Sequence, residues 1–363
     1  MTHEHPDIPL IELSGTPSQI GASHGEHQRE RIREYAERFV DWLLRRANNE
    51  LTVESLWEHW SPQVAVNERL APALVEEMRG IARGAGIAFE KIFLLNSLLD
   101  LVRFFYPDMS GSFGCTTFAV ARCANDEGTL VGQTYDLPAM NQDYLLLLRL
   151  TPEQGPRQLV FTFSGIVGAC GLNEAGIGLS INYLSPRDSG RGRLHSIVVR
   201  QILAADNLAA ALAPPVVPPR AGGAHFLVAD RDANVVSIET TAKRHWVFYP
   251  EGNAIGHTNH YLAAGLKELE YIRPDSIGSS LARYTALRRY FQEKGDQLDV
   301  AAIQELTRNH TSYPQSICAH GREHDPQGDH TRTVAAMIHL LNQQTIRITA
   351  GCACEREYHA IQL

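Results

Sequence analysis

The chain lacks most of the marks of a secreted, membrane-spanning or nucleic-acid-binding protein. It has only six cysteines in 363 residues, too few for a disulfide framework, so they read as reduced thiols in a cytoplasm-like compartment. No apolar run reaches the ~18 residues that a membrane span needs. The opening MTHEHPDIPL has neither a basic nor an apolar region, so it does not read as a signal peptide. The 33 Lys and Arg are outnumbered by 41 Asp and Glu and are scattered, which excludes a basic stripe for nucleic acid. Gly-x-Ser-x-Gly is absent, which argues against a serine α/β-hydrolase. The glycines between Gly165 and Gly171 are not followed by Gly-Lys-Ser/Thr, so they mark a tight passage between strands near a substrate rather than a phosphate loop.

What remains is an ordinary globular composition, 44% hydrophobic and 20% charged, with length for one large domain or two smaller ones. The first third reads as helical: Ile32, Tyr35, Ala36, Phe39, Val40 and Leu43 recur at helical spacing, as do Leu74, Val75, Met78, Ile81 and Ala82. Gly84-Ala85-Gly86 ends the second run as a C-terminal breaker, and an apolar segment, Ile92 to Val102, follows. The character changes at Ser110-Gly111-Ser112. Strand signals then cover Thr116–Val120, Leu130–Tyr135, Tyr144–Leu150, Leu159–Phe163 and Ile177–Tyr183. A hairpin is predicted at His225–Ala229 and Val235–Glu239, and a last pair at Val334–Leu341 and Thr345–Thr349. Helical stretches at His195–Leu212 and Ser279–Leu306 interrupt them, and Pro214 to Pro219 mark a surface loop. Strand blocks between helix blocks predict a layered α+β arrangement.

The chemistry concentrates at Gly114-Cys115-Thr116-Thr117. A cysteine that becomes a chain start carries its own base: a free α-amine titrates at ~7.7–8 and a thiol at ~8.5, so both work near neutral pH. The Cys115 thiolate would attack the Gly114 carbonyl, and water would hydrolyse the thioester. Gly114 has no Cβ to crowd that attack. The alternative for the tetrapeptide alone is a small buried cysteine.

Around it lie Gly15-Thr16-Pro17-Ser18-Gln19-Ile20-Gly21 with His24-Gly25, Gly80-Ile81-Ala82-Arg83-Gly84-Ala85-Gly86, Gly132-Gln133-Thr134-Tyr135-Asp136 and His257-Thr258-Asn259-His260. Together, in this order and nearly end to end, they resemble the acyl-coenzyme A:6-aminopenicillanic acid acyltransferase family, also called isopenicillin N acyltransferase-like, of N-terminal-nucleophile hydrolases. The resemblance implies a four-layer αββα sandwich. It also implies self-cleavage into a helical segment 1–114 and a catalytic segment 115–363, packed as one compact domain. Acyl transfer would run through a thioester on Cys115 and end in hydrolysis or transfer to an amine.

Site residues carry over by the same resemblance. Cys115 is the nucleophile. Asp136 is the site aspartate, whose carboxylate would orient the new ammonium; read alone, it ends a strand at a turn. Asn259 is the oxyanion donor, and Asn182 lines the site or donates a second hydrogen bond. Arg283, in a Ser-x-x-Arg-Tyr helix start, would favour the thiolate; Arg332 is its rival. Thr116 and Tyr135 line the site, and Glu239 is structural, pairing with a nearby cation. Tyr135 stands where the best-known members have Trp, and Leu137-Pro138 replaces an aromatic, so a penicillin substrate is not carried over.

No metal or organic cofactor is expected; a coenzyme A thioester would be a substrate. The expected partners are a small amide or acyl donor and an amine acceptor, with two subunits from one precursor and a homo-oligomer left open. Cys318-Ala319-His320 with His324 and His330 fits no standard zinc spacing, and Cys352-Ala353-Cys354 reads as an inert loop pair. Two rivals stay open: an uncut cysteine hydrolase using His257 or His260 as base, and a non-catalytic binding protein on the same fold.

Overall fold

A computed structural model describes residues 8–46, 51–105, 114–271, 277–321 and 330–363. Ser110-Gly111-Ser112 and His324, singled out above, lie outside them. The chain opens with β1 (Leu10–Gly15), α1 (Pro17–His27), α2 (Arg29–Arg46), α3 (Val53–Trp60), α4 (Pro62–Leu70), α5 (Pro72–Ala85), α6 (Phe89–Asn96) and α7 (Leu98–Phe105). Then come β2 (Gly114–Cys123), β3 (Gly128–Pro138), β4 (Leu145–Pro152), β5 (Gln158–Phe163), β6 (Cys170–Asn173), β7 (Ile177–Leu184), α8 (His195–Leu203) and α9 (Leu208–Val216). They are followed by β8 (Gly223–Asp230), β9 (Val235–Thr240), β10 (His245–Phe248), β11 (Ala254–His257), α10 (Ala264–Lys267), α11 (Ile277–Lys294) and α12 (Val300–Thr307). The last strands are β12 (Thr331–Leu340), β13 (Thr345–Ala350) and β14 (His359–Gln362).

These strands form two sheets, ordered β1-β4-β5-β6-β7-β8-β9-β10 and β11-β2-β3-β12-β13-β14. They face each other through β2 and β3 against β7 and β8. Helices α1, α8 and α9 pack on the larger sheet, and α11 and α12 on the smaller. This is the αββα sandwich that the resemblance implied. Val131 of β3 comes against Gly178 of β7 between the sheets, and the same large core, with Leu179 and Phe226, runs through the larger sheet to its helices. A second core, with Phe118, Val120, Leu287, Ile303 and Ile338, fills the space between the smaller sheet and its helices.

Local chemistry explains the elements. Thr16 caps α1 in a reciprocal box with Gln19, and Pro17 pre-sets the first turn. α5 ends on Gly86 at φ 65°, a left-handed position that suits glycine. The two early glycine motifs prove to be halves of one interface. A Cβ on Gly21 would lie 2.0 Å from the Glu77 carbonyl oxygen, and one on Gly84 2.1 Å from that of Ala22. Only glycine lets α1 and α5 approach so closely.

Several expectations are corrected. The first third is not all helical: β1 joins the larger sheet in parallel with β4, the only parallel pair among the described strands. The stretch His195–Leu212 is two helices, because Asn207 caps a new one by accepting from Ala210 N at 3.0 Å. The stretch Ser279–Leu306 also splits, at Gly295 (φ 53°) and the cap Asp299. Pro214 and Pro215 lie in the last turn of α9, where they remove two ladder donors and weaken the helix end, and the loop starts after Val216.

Candidate active site

Strand alternation sets the site. In β2, Cys115 and Ala119 belong to the inter-sheet core while Phe118 and Val120 belong to the core under the helices. Cys115 is 4% exposed and pairs with Tyr135 of β3. Its neighbour Thr116 faces α11, so both sheet faces contribute to the surroundings of one residue.

Two buried side chains, Asn182 and Arg283, and the half-buried Asn259 converge on the backbone of Cys115. Its N–H donates to Asn259 Oδ1 at 2.8 Å. Its carbonyl accepts from Asn182 Nδ2 at 3.0 Å and from Arg283 Nη1 at 2.5 Å. Arg283 also reaches Thr116 Oγ1 at 3.0 Å and Asn259 Oδ1 at 2.9 Å, which ties the clamp together. Asn259 is thus an acceptor towards Cys115 here, with its Nδ2 donating to Tyr183 O at 3.0 Å. Arg332, the rival cation, is elsewhere: it meets Cys352 Sγ at 3.3 Å and Glu355 at 3.1 Å.

Asp136 is the register partner of Gly114 and accepts from Thr333 Oγ1 at 2.7 Å. A Cβ on Gly114 would sit 3.0 Å from Asp136 Oδ2, so the carboxylate overlies the residue before Cys115 and leaves no room for a larger one. Burial raises the Asp136 carboxyl to about 6, against the pull of Arg283 and Thr333. Burial and then the Asp136 charge push the Cys115 thiol up to about 12; backbone hydrogen bonds from Asp136 and Tyr183 and the Arg283 charge act the other way. In the uncut chain this thiol is therefore protonated near neutral pH.

A buried polar layer supports the clamp. Asn182 Oδ1 accepts from Thr117 Oγ1 at 2.7 Å and faces His225 Nδ1 at 2.8 Å. The His225 ring stacks on His257 with centroids 3.9 Å apart. His257 sets Nε2 on Glu239 Oε1 at 2.8 Å and Nδ1 on Thr258 O at 2.6 Å. Glu239 also accepts from Leu262 N and Ala263 N. His257 thus lies between a backbone carbonyl and the Glu239 carboxylate. Burial, and then the neighbouring His257, hold His225 well below its ordinary value.

Ser280 Oγ accepts from Asn259 N at 2.8 Å and meets His260 Nδ1 at 2.8 Å. Burial lowers His260 to about 4. Among the described residues no histidine nitrogen bonds to the Cys115 thiol. Sequence reasoning missed Thr117, His225, Ser280 and Thr333. Ser280, three residues before Arg283 in the helix-start motif, was the one with a usable signal.

Tyr135 opens on an apolar cavity that is also lined by Leu137, Phe163, Ile166, Ala169 and Ile181. Ile166 and Ala169 come from the glycine-rich passage read from the sequence. Away from this site, the donor atoms of His310, Cys318, His320 and Cys354 come together; His330 is not in that group.

The sequence profile of the family described as "Acyl-coenzyme A:6-aminopenicillanic acid acyl-transferase" matches residues 123–353. A relative from Emericella nidulans, the "Acyl-coenzyme A:6-aminopenicillanic-acid-acyltransferase 40 kDa form", is 24% identical over 340 residues, covering 93% of this chain and 92% of its own. Among solved structures, a conjugated bile acid hydrolase from Clostridium perfringens is 12% identical, covers 69% of this chain and 92% of its own, and has a TM-score of 0.47. The Caenorhabditis elegans N-acylethanolamine-hydrolyzing acid amidase ortholog is 15% identical, covers 62% and 92%, and has a TM-score of 0.44. Among the described residues no helix is long and apolar enough to cross a membrane. The profile match spans well over half of the chain, which therefore belongs to the acyl-coenzyme A:6-aminopenicillanic acid acyl-transferase family, enzymes of acyl transfer and amide hydrolysis.

Proposed function

We propose that the chain is a self-processing cysteine enzyme that cleaves before Cys115 and then transfers acyl groups through a thioester on that residue. The observation that carries this reading is the backbone clamp. Asn182, Asn259 and Arg283 spend buried or half-buried hydrogen bonds on the N–H and C=O of Cys115, which a merely structural cysteine in a strand does not require. A nucleophile whose own α-amine is the base must be held in this way, by its backbone.

In the first step the Cys115 thiol gives up its proton, and Sγ adds to the Gly114 carbonyl. The C–N bond breaks, the thiol's proton goes to the departing Cys115 nitrogen, and water hydrolyses the thioester. The freed amine then stands between Asn259 Oδ1 and the Asp136 carboxylate. In turnover it takes the thiol proton, Sγ attacks the acyl carbonyl, and the second Asn259 Nδ2 hydrogen and a backbone N–H hold the oxyanion. The ammonium protonates the leaving amine or thiol. Water or an acceptor amine resolves the acyl-enzyme. This scheme uses no metal or organic cofactor at Cys115, and a coenzyme A thioester enters it as substrate. The cavity beside Tyr135 favours an apolar acyl group.

Fragments 1–114 and 115–363 would stay together. β1 is built into the larger sheet beside β4. Glu77 and Arg200 make a buried two-pronged ion pair at 2.6 and 3.0 Å across the junction, and losing one partner would cost about 3–5 kcal/mol.

The test is denaturing intact mass of the wild type and of Cys115→Ala, followed by turnover of N-acyl amines and acyl thioesters with and without an added amine. Two fragments in the wild type and one chain in the variant support the reading. An uncut wild-type chain that is folded and turns over substrate would overturn it.

A further inference from the structure

The group formed by His310, Cys318, His320 and Cys354 is independent of the acyl site. Its four potential donor atoms all lie within 4.8 Å of one another. The Sγ atoms of Cys318 and Cys354 are 3.5 Å apart. His320 Nε2 lies 3.7 Å from Cys318 Sγ, 3.4 Å from Cys354 Sγ and 3.2 Å from His310 Nε2.

Bonds of about 2.3 Å to sulfur and 2.0–2.1 Å to nitrogen at tetrahedral angles place two sulfurs ~3.8 Å apart, sulfur and nitrogen ~3.5 Å, and two nitrogens ~3.3 Å. The four separations given above follow that pattern within about 0.3 Å, and the two between His310 and the sulfurs lie within 4.8 Å. Two thiols and two imidazoles on a tetrahedron suit zinc among the common divalent ions. The support expected around such a site is present too: Glu355 Oε1 faces His320 Nδ1 at 3.4 Å, which directs the Nε2 lone pair inward. Arg332 in turn holds Glu355 at 3.1 Å.

We propose that His310, Cys318, His320 and Cys354 bind one zinc ion in a closed, four-ligand structural site. On binding, the two thiols release their protons to solvent as two Zn–S bonds form, and the neutral imidazoles supply the other two. Exposed His310 and Cys354 give the ion an entry path from solvent. The site pins the segment from Cys318 to His320. Ala319, between two ligands, exchanges hydrogen bonds with Thr333 at 2.9 Å each way, and Thr333 holds Asp136. Three loop and turn segments meet here with no regular spacing, which is why the sequence shows no zinc pattern.

The test uses the full chain, purified with reductant, loaded with zinc and dialysed exhaustively. Metal analysis should find one zinc per chain. Cobalt in its place should show thiolate-to-metal charge-transfer absorption. Cys354→Ser, at an exposed position, should lose both signals while its circular dichroism stays that of the wild type. Glu355→Ala should weaken zinc roughly 10–100-fold, and a chelator should lower the thermal unfolding midpoint of the wild type. No stoichiometric zinc in the reduced wild type, cobalt bound without the thiolate band, or equal zinc in Cys354→Ser would overturn the proposal. So would a Cys318–Cys354 disulfide in freshly isolated, zinc-free protein.

Discussion

Two cysteine centres sit on this fold and are built in opposite ways. At Cys115 the surrounding polar side chains grip the backbone of one residue, next to Tyr135, which lines an apolar cavity. At Cys318 and Cys354 the side chains converge on each other. Cys115 and Cys318 are alike in burial, at 4% and 0% exposed, while Cys354 is exposed. What separates the centres is which atoms converge. A clamp on N–H and C=O suits a residue whose own amine acts, as proposed; a ring of sulfur and nitrogen donors suits an ion between them, as proposed.

The comparison breaks most simply at Cys115. Cys115→Ala should abolish cleavage and leave one full-length chain by intact mass; any residual cut before residue 115 would show that the clamp serves another nucleophile. Asn259→Ala should slow turnover about 100–1000-fold, the usual cost of one oxyanion donor, with most of the loss in kcat. Arg283→Lys keeps the charge but loses the fork over Cys115, Thr116 and Asn259. A lost hydrogen bond from a charged group costs about 1.5–3 kcal/mol, so cleavage should slow roughly 10–150-fold in a time course.

Acid gives a two-sided test. In the folded, uncut chain Asp136 is raised from 3.8 to about 6, so the folded state binds its proton more tightly than the unfolded state. The stabilisation is fully present below the unfolded value and is lost as pH rises through about 6. On the prediction that the ionised Asp136 carboxylate serves as proton acceptor for the Cys115 thiol in cleavage, the cut should fade as pH falls through the same range. Thermal midpoint and cleavage rate of the wild type should therefore move in opposite directions between pH 4 and about 6, and Asp136→Asn should flatten both. The smallest effect is expected at Ser280. Ser280→Ala removes the bond to Asn259 N, worth about 1 kcal/mol, and should slow turnover a few-fold with KM unchanged.

Much of the outer frame was readable because it is decided locally. Thr16 with Gln19, Gly86 after α5 and the turn at Asn125–Gly128 each need only their neighbours. The breaks inside Ser279–Leu306 and His195–Leu212 were misread because hydrophobic spacing continues across a cap such as Asn207, while the backbone does not. β1 was missed for another reason: a short strand pairing in parallel with β4 has its partner more than a hundred residues away.

The sequence by itself pointed to the family, and through the resemblance of short motifs to Gly114-Cys115, Asp136, Asn182, Asn259 and either Arg283 or Arg332 as expected site residues. Only the tertiary structure decided that Arg283 and not Arg332 reaches Cys115, that His257 is consumed by Glu239 and the Thr258 carbonyl, and that His310, Cys318, His320 and Cys354 share one point in space. Those are contacts between strands, turns and helices far apart along the chain. They are fixed by sheet register and by how two cores pack, and neither is written in the spacing of residues.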